Sequence, residues 1–78
     1  FEKDKLKYYP NPVDDKLQIE YFENIVQVDV FDLLGRNIKT VQTNDRNVEI
    51  DLSELSAATY MIQLKTESKQ QFIKIIKQ

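Results

Sequence analysis

The sequence contains no cysteine and no histidine, and it has one glycine and two prolines in 78 residues. Without thiols or imidazoles, neither a disulfide framework nor a Cys/His zinc site is available, and a Ser-His-Asp triad or a Cys-His pair is excluded too. A lone glycine rules out a phosphate-binding loop, which needs several. No apolar run approaches the roughly 18 residues of a membrane-spanning helix, and the opening FEKDKLKYY lacks the apolar centre of a signal peptide. Neither sign of charge predominates. The 11 basic and 13 acidic residues are interspersed and give a net charge of −2, the pattern of a solvated surface and not of a nucleic-acid-binding stripe. Cysteine is dispensable in every compartment, so redox chemistry does not place the protein.

A chain this short forms one domain and buries only about 60% of its unfolded surface, so apolar packing alone has to hold a marginal core. The sequence starts at Phe1 and not at Met, and we expect a processed piece whose targeting signal and biochemical activity lie upstream.

What is present is alternation of period two in short runs separated by turn residues, which means strands. Leu17, Ile19 and Tyr21 point one way against Lys16, Gln18 and Glu20. Val26, Val28 and Val30 alternate with Gln27, Asp29 and Phe31. Gly35 sits where a hairpin loop needs positive φ beside a bulge, so it is expected to join the Val26 strand antiparallel to Asn37–Thr43. Asn44–Asn47 reads as a polar connection, after which Val48, Ile50 and Leu52 alternate again. At most one helical turn fits around Ser53–Ser56, before a strand through Tyr60, Ile62 and Leu64. Thr66–Lys69 reads as a hairpin connection to the last segment. The closing QQFIKIIKQ fits a strand covered on both sides or a basic amphipathic helix lying on a membrane; its three β-branched isoleucines and the all-strand context favour the strand. The fold class expected is all-β, an immunoglobulin-like antiparallel β-sandwich of about seven strands.

Pro10 and Pro12 hold φ near −65° and push Tyr9 and Asn11 towards extended or turn conformations. Neither proline donates to a ladder, so the pair belongs at an edge or ahead of a strand, with Asn11 bonding its own backbone in a turn. The serines at 53, 56 and 68 read as turn or cap residues. Paired carboxylates for glycoside hydrolysis would need a substrate-sized cleft that so small a sandwich rarely encloses. Asp14, Asp15 and Asp51 lack the glycine-containing acidic loop of familiar calcium sites and read as solvated turns. The residues point to no catalytic activity, metal or cofactor. Tyr8, Tyr9 and Phe31 leave open an adhesive or carbohydrate-binding face, the alternative function.

Four segments in order, YPNP at Tyr9–Pro12, VFDLLGR at Val30–Arg36, DLSELSAATY at Asp51–Tyr60 and FIKIIK at Phe72–Lys77, together resemble the C-terminal sorting domain of the type IX secretion system. Each is weak alone; their order and spacing are specific. The family usually carries glycine two residues before the strand tyrosine, where this sequence has Ala58. The resemblance implies a β-sandwich at the end of a cargo protein, residues 8–78, with residues 1–7 as a linker or cleavage-proximal flank. It implies transit of the periplasm, recognition by a shuttle receptor and passage through an outer-membrane translocon. A sortase-like peptidase then removes the domain at the cell surface, where the cargo is commonly attached to lipopolysaccharide. Matched residue by residue, Pro10, Asn11 and Pro12 stage the domain boundary. Gly35 and Arg36 form the turn motif, with the Arg36 guanidinium placed for a carboxylate of the machinery. Lys74 and Lys77 are the basic positions of a terminal edge strand that is either solvent-facing or read by a receptor.

Overall fold

The computed structural model describes residues 6–78, so the first five residues of the expected flank lie outside the described residues. Five strands form: β1 (Lys7–Tyr9), β2 (Lys16–Phe31), β3 (Asn37–Asp51), β4 (Ala58–Lys65) and β5 (Gln70–Lys77). All strand pairs are antiparallel, and the all-β class stands.

Among the described residues the strand count is five and not about seven, because two pairs of expected strands are continuous. Leu17–Tyr21 and Val26–Phe31 are halves of β2, and Asn37–Thr43 and Val48–Asp51 are halves of β3, which stops one residue short of Leu52. The expected connection Asn44–Asn47 is itself strand. Two of its side chains accept hydrogen bonds there: Asn24 Nδ2 donates to Asn44 Oδ1 (3.4 Å) and Asn47 N to Asp45 Oδ1 (3.1 Å). Polar residues there mark a bend and not a break.

The bend follows from length. Sixteen residues of straight strand would span about 50 Å at roughly 3.3 Å per residue, yet the longest dimension is 33 Å. The register against β3 shifts between Glu20 and Ile25 and again between Ile25 and Gln27. Burial shifts with it, from Leu17, Ile19, Tyr21 and Ile25 to Val28 and Val30, so the inward face changes parity. The first half of β2 pairs with β1 and the second with β4. The sheet therefore curls on itself. Val48, Ile50, Tyr60, Ile62, Leu64, Ile73 and Ile75 fill the space between its halves.

Two turns fit the sequence chemistry. Gly35 has φ of +85°, and no other described residue has positive φ, Ala58 included. Asp51 Oδ1 accepts from Ser53 N at 2.9 Å, and Leu55 N donates to Leu52 O, which makes a single turn and no helix. Tyr60, buried, donates its hydroxyl to Ser56 O at 2.8 Å and pins that turn to β4. β5 is a strand, as expected, but is covered on one face alone: Ile73 and Ile75 are buried while Phe72 and Ile76 are 58% and 49% exposed.

Nothing lies within 4 Å of a Cβ built on Gly35, so a substitution there meets only backbone strain. Gly35→Val should therefore destabilise the domain by about 1–2 kcal/mol, the cost of holding a side-chain-bearing residue at positive φ. Urea unfolding should show a lower midpoint at unchanged slope; an unchanged midpoint contradicts the assignment.

Candidate functional site

The strap of Pro10–Val13, between β1 and β2, lies along the end of β5. Val13 pairs in parallel with Lys77, donating N–H to Ile76 O (2.7 Å) and accepting from Gln78 N (2.8 Å). Its side chain is fully buried in the core. Asn11 does not close a local turn. Its Oδ1 accepts the Ile76 amide at 3.1 Å, satisfying a donor 65 residues away. Gln78 Nε2 adds a bond to Asp14 Oδ1 at 3.0 Å. Both X–Pro bonds of the strap, Tyr9–Pro10 and Asn11–Pro12, are cis.

The loop after β2, which leaves the sheet where Phe31 pairs with Met61, is organised by Asp32. Its Oδ1 accepts from Leu34 N (2.9 Å) and Arg36 N (3.0 Å), and its Oδ2 from Arg36 Nε at 2.8 Å. These bonds, the Arg36 amide foremost, hold the Asp32 carboxyl below the usual carboxylate range. Arg36 is exposed, with its Nε committed inside the loop. The apolar side chains Leu33 and Leu34 are left in solvent at 67% and 79% exposure. With Phe31, Asp32, Gly35, Met61 and Phe72, Leu33 lines an open groove of about 370 Å³ that reaches β5.

The two basic positions of β5 do not act as a pair. Successive side chains of a strand alternate faces, so Lys74 is exposed while Lys77 is 7% exposed and donates to Gln78 O at 3.0 Å. The expectation of two solvent-facing lysines is corrected for Lys77: its odd position shares the inward face with Ile73 and Ile75. The structure thus brings Pro10, Asn11, Pro12 and Lys77 together at one end of β5. Gly35 lines the groove that reaches Phe72 of β5, and Arg36 follows it in the same loop. The aromatics of the alternative adhesive face do not meet: Tyr8 packs on the core, Tyr9 donates its hydroxyl to Glu20, and Phe31 ends the far half of β2.

Alternation alone could not reveal Asp29. It points away from the core yet is 3% exposed, covered by side chains of β2, β3 and β4. Burial pushes its carboxyl up, but bonds from Thr40 Oγ1 (2.7 Å), Gln27 Nε2 (2.9 Å) and Asn37 Nδ2 (3.5 Å), with Lys65 Nζ at 3.8 Å, leave it below the usual range. Among the described residues no cluster of acidic side chains could hold a metal.

The sequence pattern of one family, described as the secretion system C-terminal sorting domain, matches residues 7–78. The chain belongs to that family. The sorting domain has no match among curated proteins in sequence. In structure it is similar to part of PorZ, described as an essential bacterial surface component of the type-IX secretion system of Porphyromonas gingivalis. That likeness has a TM-score of 0.72 at 16% identity and covers 94% of this chain and 11% of the PorZ chain, so it speaks for the fold. Membership makes the chain a type IX sorting tail, which works with the secretion machinery to deliver a larger protein to the cell surface or beyond.

Two outcomes test this geometry. Asn11→Ala should cost about 1 kcal/mol and speed amide exchange at Ile76 selectively, because it orphans that donor; unchanged exchange would remove the strap from the account. Asp29 has a lowered native pKa, so its contribution is complete above the unfolded value of about 3.9 and is lost as pH falls through the native value. Urea midpoints measured from pH 7 to pH 2 should therefore fall less steeply in Asp29→Asn, whose amide also opposes the Gln27 and Asn37 donors and lowers stability at pH 7. An identical acid profile in the two proteins would show that Asp29 carries none of it.

Proposed function

We propose that this domain is a non-catalytic address that carries its cargo through the periplasm to an outer-membrane translocon, is recognised there by a shuttle receptor, and is then removed by a sortase-like peptidase. Pro10, Asn11 and Pro12 set the domain boundary and hold β5 in place; Gly35 and Arg36 shape the turn; Lys74 presents charge on the exposed face of the terminal strand. What supports this reading is that motif segments from both ends of the sequence and from its middle gather on β5, the strand that carries the basic positions. Lys77 serves folding in this scheme, since its side chain is buried at the strap.

The test fuses the 78-residue chain to the C-terminus of an unrelated periplasmic protein in a host with a working type IX system. The fusion should reach the surface and lose the domain there. Lys74→Ala changes an exposed position, so its unfolding free energy should stay within about 0.5 kcal/mol while surface delivery falls. Export in a host without the translocon, or periplasmic retention of the folded unsubstituted fusion, rejects the proposal; saturable glycan binding by the isolated chain would then favour the adhesive module.

A further inference from the structure

The outer edge of β5 is only half occupied. Ile76 turns its N–H and C=O towards the strap, and in an antiparallel ladder the main-chain groups of Phe72 and Lys74 must point the same way. Among the described residues no strand pairs with β5 on that side. Such an open edge is a template for another strand.

We infer that this free stretch is a strand-addition site for an extended segment of another protein, which pairs with Phe72 and Lys74, sets an apolar side chain towards the Phe31–Met61–Phe72 groove and places a carboxylate beside Lys74. Three features select this occupant. The strap shows that the edge takes a strand, since Val13 already pairs there through bonds of 2.7 and 2.8 Å, and a guest would continue where Val13 stops. The charge is one-sided: β5 contains lysines and no acid, and no ion pair involves Lys74 among the described residues. A second copy paired antiparallel about Lys74 would oppose two ammoniums, and a lipid surface would leave the edge amides without partners. The inference rests on the sorting reading for the source of the segment, a component of the export machinery.

The 78-residue chain, isotope-labelled, is titrated with a synthetic acetylated and amidated Thr-Val-Glu-Val-Thr-Val peptide. Saturable shifts should appear at the Gln70–Lys74 amides and the Met61 methyl. Lys74→Pro removes an outward N–H and keeps the bonds to β4, so it should bind about tenfold or more weakly. Should that variant lose its fold, Lys74→Glu serves: it should reject the glutamate peptide and recover binding with lysine in place of the glutamate. Shifts remote from β5, or affinity unchanged in both variants, overturn the inference, as do self-association without peptide and binding to phosphatidylglycerol vesicles alone. Export separates the two claims. An unsubstituted fusion that stays in the periplasm defeats the sorting reading while the titration still decides strand addition, and a Lys74→Pro fusion exported at the unsubstituted level overturns the assignment of the edge to the machinery.

Discussion

A strand has two edges, and β2 gives one of them to β3 along nearly its whole length, so β1 and β4 have to divide the other between them. That is possible because the hairpin bends near Glu20–Gln27 and turns its second half away from its first. The bend also makes the core. A flat sheet of this size would expose one face, whereas the curled one encloses Leu17, Ile19, Val28, Val30, Ile50, Ile62 and Ile75 between its halves. A chain with no cysteine and no histidine has no cross-link to substitute for that enclosure.

β5 completes the enclosure and depends on its neighbours to do so. Its inner edge pairs with β4, its last residues with Val13 and Asn11, and Gln71 Nε2 donates to the Tyr21 hydroxyl at 2.7 Å. The start of the domain therefore holds its end. The arrangement joins a proline-rich lead-in and a terminal strand into one structural unit although most of the sequence separates them. It also leaves the middle of β5 free, flanked by the Asp32–Arg36 loop and its exposed leucines. The strap-paired end and the open stretch of β5 differ accordingly: Lys77 is buried and Lys74 is exposed.

Much of this was legible. The alternating runs around Ile19, Val28, Ile50 and Ile62 gave the inward faces correctly, because a half-buried strand must repeat every second residue. Gly35 was legible for a similar reason, since few residues tolerate its φ. The bends were not. A polar run such as Asn44–Asn47 has the composition of a turn whether or not the chain reverses there, and only the pairing partner across the ladder distinguishes the cases. Val26 misled in the same way: the frame changes after Ile25, so the buried residue is Ile25 and Val26 is half-buried.

The sequence by itself determined the strand class, the inward residues on each side of the bend, the position of the Gly35 turn and, through four ordered motifs, the family. These are properties of local chemistry and spacing. Tertiary structure alone decided that Asn11 serves Ile76 and not its own turn, that Lys77 is buried while Lys74 is not, that Asp29 is enclosed by three strands, and that β5 has an open stretch beside an apolar groove. Each of those depends on contacts between residues far apart in the chain, and a pattern of period two specifies a face without specifying what covers it.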